Sequence, residues 1–210
     1  MIELFEFPLS GNSHKARLML SLLDLQYQSQ IVNGAERAHK AEAFLVMNPF
    51  GQVPVLKDGD VIVRDSQAIL VYLARAYGAE HWLPTDASRM AAVAAWLSTA
   101  ANEVSRGPGD LRAHFVLGRD INVDNARAVT ANLLAILDTR LKQNSWLATE
   151  AITIADIAVY PYIALAHQGK IDMSAFPAIC QWMQRIEKLP GYVSMPGIQP
   201  LSGSGVAEKT

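Results

Sequence analysis

The apolar positions of residues 1–80 alternate between strand and helix patterns. Ile2–Phe7 is a short aliphatic and aromatic run, and Tyr27–Val32 is a second such run. Both predict short strands of a buried sheet. Between them, His14–Leu25 carries a wide apolar stripe at helical spacing, which predicts a helix packed on that sheet. The β-α-β order favours parallel pairing of the two strands.

The rest of this segment predicts a hairpin between two helices. Pro54–Lys57 and Val61–Val63 are short apolar runs on either side of Asp58-Gly59-Asp60, and a D-G pair in that position is a strong hairpin signal. A short helix is predicted around Ala41–Val46, and an amphipathic helix over Ser66–Tyr77. Together these elements predict a four-stranded mixed sheet with helices on its faces.

The pattern changes after Gly78–Ser88, a segment of Gly, Pro, Thr and Asp that is typical of a linker. Four segments with helical periodicity follow, over Ala87–Ser105, Asp124–Gln143, Ile154–Gln168 and Phe176–Lys188. Thr153-x-x-Asp156 predicts a capping box at the start of the third. The expected fold is therefore an α/β domain over residues 1–80 followed by an all-α domain over residues 86–200.

Composition and charge narrow the function classes. Half of the 210 residues are hydrophobic and 18% are charged, which indicates a packed core rather than disorder. Residues 1–80 carry seven Lys and Arg against nine Asp and Glu, and the remainder carries eleven of each, so no nucleic-acid partner is expected. With one Cys and five scattered His, neither a disulfide nor a metal site is expected. We also expect no signal peptide, no membrane span and a cytoplasmic location.

The loop between the first strand and the first helix is the first candidate site. It contains Ser10, Asn12 and Ser13, at a point where a helix N-terminus offers oriented N–H groups to an anion. A serine here can donate a hydrogen bond to such an anion. Alternatively, Ser10 only turns the chain and Ser13 caps the helix.

Two further loops are candidates. If the peptide bond before Pro54 is cis, the backbone of Val53 becomes available to an extended peptide; the alternative is an ordinary Pro-Gly loop. Asp65 and Ser66 precede an apolar helix, so they are either plain helix caps or a site that holds a carboxylate and an ammonium.

In this order and spacing, the three loops resemble those of the cytosolic glutathione transferase family, in particular its bacterial, serine-type, theta-like and delta-like members. The resemblance runs over nearly the whole chain. It is carried by FPLSGNSHKARLML, AFLVMNPFGQVPVL, DSQAILVYLA and TIADIAVYPYIA. It implies a thioredoxin-like N-terminal domain, an all-α C-terminal domain, glutathione as co-substrate and a homodimer, with the exposed-looking Phe50 in the loop that often joins the subunits.

The resemblance implies a role for each matching position. Ser10 matches the catalytic serine whose hydroxyl donates to the sulfur of glutathione and favours the thiolate. Val53 and Pro54 match the backbone site for the cysteinyl part of glutathione. Asp65 and Ser66 match the site for its γ-glutamyl end, although Asp65 is one methylene shorter than the usual glutamate.

Other positions complete the expected glutathione site. His39 and Lys40 match a place where relatives often put a basic group for the glycyl carboxylate. Asn12 is a further glutathione contact, and either Asn12 or Ser13 could replace Ser10 at the sulfur. The assignment of the sulfur contact therefore stays open among these three.

The electrophile pocket is expected in the helical domain. In relatives it is lined by the region that here holds Trp96, Arg106, Arg112, His114 and Phe115. Core packing for Trp96 and a solvated face for the arginines are the simpler readings. Of the five, Arg106, His114 and Phe115 are the ones that we expect to face the cleft.

The resemblance thus predicts a detoxification-type transferase. Its glutathione thiolate would attack a small hydrophobic electrophile, in conjugation, in glutathione-dependent peroxidase chemistry, or in both. The alternative from a different class is a non-catalytic protein of the same fold that binds or carries a ligand.

Overall fold

The computed structural model describes residues 1–199, and the first part of it is a four-stranded mixed sheet. The strands are β1 (Ile2–Glu6), β2 (Tyr27–Ile31), β3 (Val55–Asp58) and β4 (Val61–Arg64). Their order in the sheet is β2-β1-β3-β4, with β1 parallel to β2 and both other pairs antiparallel. The predicted β-α-β unit and hairpin are therefore confirmed.

Three helices cover this sheet: α1 (Gly11–Leu22), α2 (Glu42–Met47) and α3 (Ser66–Ala76). Leu4 of β1 and Leu56 of β3 are paired neighbours on adjacent strands, and both are fully buried. The hairpin turns at Gly59, whose positive φ of 57° suits a residue without a Cβ. The α1 helix starts at Gly11, three residues before the predicted start at His14, because Ser10 caps it.

The second part is helical throughout. It consists of α4 (Ala87–Ala101), α5 (Asp110–Leu117), α6 (Val123–Gln143), α7 (Ile154–Ala164) and α8 (Pro177–Glu187). The fold class expected from the sequence, α/β followed by all-α, is confirmed.

Helix α5 is absent from the sequence-based expectation, and α7 is shorter than expected. The chain continues from α4 through a π-helical turn at Ser105–Gly109 that includes Pro108, and α5 follows directly. The α7 helix ends at Ala164, and a 3-10 turn at Ala166–Gly169 replaces its predicted last turn. The first difference matters for the cavity, because α5 and the π-helical turn before it form part of its helical wall.

The two parts share one continuous apolar core, to which α7 is central. Its predicted capping box is confirmed: the Thr153 backbone N–H donates to Asp156 at 3.0 Å, and Asp156 also accepts from Leu147 N–H (3.0 Å) and the Trp182 indole (2.9 Å). Apolar residues of α1, α3, α4, α7 and α8 all belong to this core. Within residues 1–199, no helix combines the length and apolar character needed to cross a membrane.

Candidate active site

A cavity of about 910 Å³ lies between the sheet part and the helical part. From the sheet part it is lined by seven of the eight residues that the sequence assigns to the glutathione site: Ser10, Asn12, His39, Lys40, Val53, Asp65 and Ser66. The eighth, Pro54, lines an adjoining recess of about 50 Å³ together with Val53, Asp65 and Ser66. The fold thus brings the three predicted loops to one place.

Ser10 and Asn12 line this cavity, whereas Ser13 does not. The Ser10 side chain is the N-cap of α1, and its Oγ accepts from the Ser13 backbone N–H at 3.2 Å. Accepting that bond leaves the Ser10 hydroxyl hydrogen available to a ligand. Ser13 is fully buried, and its Oγ accepts from the Phe7 N–H at 3.4 Å. A cavity ligand can therefore meet Ser10 or Asn12, but not the Ser13 hydroxyl.

The Val53–Pro54 peptide bond is cis, as the functional interpretation of this loop requires. Pro54 precedes β3, so Val53 lies outside the strand ladder. Across the described part of the chain, the N–H and C=O of Val53 have no hydrogen-bond partner. Both groups are thus available to pair with an extended peptide in the cavity.

Asp65 and Ser66 stand at the N-terminus of α3. Oδ1 of Asp65 accepts from the N–H groups of Gln67 (2.9 Å) and Ala68 (3.2 Å), which leaves Oδ2 for a ligand. Asp65 has a φ of 75°, a backbone region that a residue with a Cβ seldom adopts and that is often found at functional sites. Ser66 is buried, and its hydroxyl donates to the Gln67 side chain.

His39 and Lys40 are the basic residues that line the cavity from the sheet part. The Lys40 ammonium donates to the Phe50 carbonyl at 2.9 Å, which ties it to the loop before Val53. The His39 ring packs edge-on against Phe7, with centroids 5.3 Å apart. Burial, followed by the charges of Lys40 and Arg37, lowers the pKa of His39. This part of the cavity is therefore positive, mainly through Lys40.

The expectation that Arg106, His114 and Phe115 face the cleft is corrected by the structure, since none of the three is among the residues that line the cavity. The π-helical turn and α5 rotate these side chains away from it. Arg106 is exposed and donates to the Asn102 side chain at 3.0 Å. Nδ1 of His114 lies 2.8 Å from the Arg119 carbonyl, and the Lys170 ammonium lies 4.4 Å from the centre of the Phe115 ring.

Arg112 and Tyr162 line the cavity instead. Arg112 belongs to the candidate region but was not among the three residues expected to face the cleft, and Tyr162 was not expected there. Tyr162 lies so close to the start of α1 that a Cβ on Gly11 would come within 2.9 Å of its ring, which explains why glycine occupies that position. Burial raises the pKa of the Tyr162 phenol, and the positive charge of Arg112 partly opposes this shift. Arg112 is only 5% exposed.

Two titratable residues of α1 are fully buried behind the cavity. Desolvation, with a smaller contribution from Arg17, lowers the pKa of His14 to about 3, so its ring is neutral near pH 7. Desolvation also lowers the pKa of Lys15 to about 7, against the opposing charge of Asp65. His14 is therefore an interior residue rather than one on the exposed face of α1. Nowhere in residues 1–199 are three His, Cys, Asp or Glu side chains grouped to hold a metal ion.

Comparison with known proteins identifies the family. The family model of the glutathione S-transferase N-terminal domain matches residues 4–81, and that of the C-terminal domain matches residues 113–190. The chain is 32% identical to glutathione S-transferase GstB of Escherichia coli over 90% of its length and 95% of that protein. The chain belongs to the glutathione transferase family.

Solved structures of other family members share the architecture of this transferase. A possible glutathione S-transferase from Rhodopseudomonas palustris superimposes with a TM-score of 0.85 at 32% identity, covering 92% of this chain and 97% of that one. A glutathione transferase homologue from a Drosophila species, solved with bound glutathione, gives a TM-score of 0.81 at 26% identity, covering 90% and 88%. The protein is thus a transferase with glutathione as its co-substrate.

Proposed function

We propose that this transferase ionises the thiol of glutathione beside Ser10 and directs the thiolate at a small electrophile in the same cavity. The γ-glutamyl end of glutathione would meet Asp65 and Ser66, and its cysteinyl backbone would pair with Val53. Its glycyl carboxylate would face Lys40. The single observation that carries this proposal is the convergence of these groups, which come from three separate loops, on one cavity.

The Ser10 hydroxyl supplies most of the required free energy. A free thiol with a pKa of ~8.5 is only about 3% ionised at pH 7, and making it half ionised requires about 2 kcal/mol. One hydrogen bond to a charged sulfur is worth ~1.5–3 kcal/mol. The N-terminus of α1, where Ser10 is the cap, adds ~0.3–1 kcal/mol for a nearby anion. A general base is therefore not required.

Conjugation kinetics with glutathione and chlorodinitrobenzene test this role. In that reaction the sulfur forms a bond to the ring carbon, chloride leaves, and the thiol proton goes to solvent. We expect Ser10→Ala to lower kcat about 10- to 100-fold, because it removes one charge-assisted hydrogen bond from the reacting sulfur. Ser13→Ala is the matched control, since its hydroxyl is buried beside the same helix start. Equal rates for the wild type and Ser10→Ala would remove the assigned role.

The electrophile that we propose has a small apolar body. Ala100, Ala101, Ala113 and Leu117 form the apolar part of the helical wall that faces the glutathione residues. A hydroperoxide is a second acceptor compatible with the same thiolate: two glutathione molecules are oxidised to the disulfide while the hydroperoxide is reduced to alcohol and water. Rates with cumene hydroperoxide and with chlorodinitrobenzene separate the two activities, and glutathione binding without turnover in either assay would favour a carrier.

We further propose that the transferase is a homodimer that acts in the cytoplasm. Phe50 supports the dimer, because it is 61% exposed in the loop before Val53, with the Arg64 guanidinium over its ring at 4.7 Å. The use of glutathione, the thiol that keeps the cytosol reducing, supports the location. Light scattering on the wild type and on Phe50→Ser tests the dimer. We expect the variant to dissociate into monomers at a higher protein concentration than the wild type does.

A further inference from the structure

Arg112 is the most unusual charge in the cavity. It lies on α5 and lines the helical wall of the cavity, and only 5% of its surface is exposed to solvent. Burial lowers its pKa, but a guanidinium stays charged at any working pH. The wall that faces the electrophile therefore carries a fixed positive charge.

This charge is oriented but not paired. Nε of Arg112 donates to Gln168 Oε1 at 2.6 Å, which fixes the plane of the guanidinium. Its two terminal nitrogens have no acceptor within residues 1–199, and no carboxylate of that range forms an ion pair with it. Asp110, the nearest acid in sequence that also lines the cavity, lies 3.8 Å from Arg119 instead.

The surroundings favour an anion beside Arg112. The ammonium of Lys15 is buried, has no hydrogen-bond partner among residues 1–199, and lies 5.6 Å from the centre of the Tyr162 ring. Tyr162 separates this ammonium from the cavity and presents its own side chain there, next to the glutathione residues. A buried charge without a partner, such as that of Arg112, raises the free energy of the folded protein. This free-energy cost falls when an oxyanion of matching geometry binds beside the guanidinium.

We propose that the electrophile carries a carboxylate, which the terminal nitrogens of Arg112 bind as a fork while the apolar body of the molecule lies against the alanines and Leu117. This inference rests on the proposed function, because it names the substrate class of the same site. It makes Arg112 a specificity-determining residue. Gln168 is a positioning residue that acts through Arg112.

A matched pair of electrophiles tests the proposal. In 4-chloro-3-nitrobenzoate and 4-chloro-3-nitrobenzamide, glutathione displaces the same aryl chloride, and only the benzoate carries a charge. Each enzymatic kcat/KM is divided by the uncatalysed rate constant with glutathione, because the two rings differ in reactivity. We expect Arg112→Met to lower the corrected value for the benzoate about 10- to 100-fold and that for the benzamide less than about threefold.

The control variant is Arg106→Met, which removes an exposed arginine of the preceding turn and should change neither value. Equal losses for the two electrophiles in Arg112→Met, or no loss for either, would overturn the proposal. A higher KM for glutathione with both electrophiles would overturn it as well, because Arg112 would then be serving a carboxylate of glutathione.

A binding measurement on the wild type keeps the proposal testable if Arg112→Met does not fold. The enzyme is saturated with S-methylglutathione, which has no thiol and cannot react, and the two ring compounds are titrated by calorimetry. We expect the benzoate to bind at least tenfold more tightly than the benzamide, and equal affinities would contradict the inference. If the wild type turns over neither compound but still prefers the benzoate, the proposed reaction is at fault and the carboxylate site stands.

Discussion

Lys15 offers a quantitative test of the packing between the two parts of the molecule. Its side chain lies between α1 and α7 and is fully buried, and the described part of the chain offers its ammonium no hydrogen-bond partner. Lys15→Met keeps most of the apolar stem and removes the charge. We therefore expect this substitution in the interior to stabilise the protein.

The size of the effect follows from the pKa. Burial lowers the pKa of Lys15 from 10.5 to about 7, so between these values the unfolded chain holds a proton that the folded chain has lost. Stability therefore rises with pH across this window, and the penalty is fully present below about pH 7. At about 1.4 kcal/mol per pKa unit, the penalty at pH 7 is on the order of 4 kcal/mol, and it falls below about 1 kcal/mol at pH 10.

Urea unfolding of the wild type and Lys15→Met at fixed protein concentration measures this directly. At pH 7 we expect the variant to be more stable by about 2–4 kcal/mol, and this advantage should shrink to below about 1 kcal/mol at pH 10. Lys170→Met is the control, because the Lys170 ammonium also lies over an aromatic ring but is exposed. A difference that does not change with pH, or a variant less stable than the wild type at pH 7, would refute the reasoning.

Two further substitutions probe the glutathione site and the helical core. Asp65→Asn keeps the cap on α3 but loses the carboxylate charge, so we expect the KM for glutathione to rise about 5- to 30-fold in initial-rate assays; an unchanged KM would show that Asp65 does not meet the ammonium. Asp156→Ala strands the indole N–H of Trp182 and two backbone N–H groups, so we expect a loss of at least ~3 kcal/mol in the free energy of unfolding by urea titration; a loss below about 1 kcal/mol would contradict the capping network.

The sequence predicts which residues of the sheet part come together at the cavity, because they lie on short loops. Val53-Pro54 and Asp65-Ser66 are fixed in position by the strand or helix that follows each pair, so placing those elements also places the pairs. The sequence could not separate Ser10 from Ser13, because only burial distinguishes the two hydroxyls.

The helical wall of the cavity was not predictable in the same way. Gly107-Pro108-Gly109 is typical of a helix break, yet the chain passes through it in a π-helical turn and continues as α5. That continuation decides which side chains of the turn and of α5 enter the cavity, so the sequence favoured Arg106 over Arg112 when the structure has the reverse. Helical spacing likewise cannot show that α1 is covered on two sides, by the sheet and by α7, which is why Lys15 is buried.

The pKa of the glutathione thiol in the binary complex tests the central claim most directly. The thiolate is titrated by its ultraviolet absorbance in the wild type, Ser10→Ala and Ser13→Ala, each saturated with glutathione. The account predicts a pKa near or below about 7 for the wild type and Ser13→Ala, and a rise of at least about one unit, toward the free value of ~8.5, in Ser10→Ala. A bound thiol that titrates at the same pH in the wild type and in Ser10→Ala would contradict it.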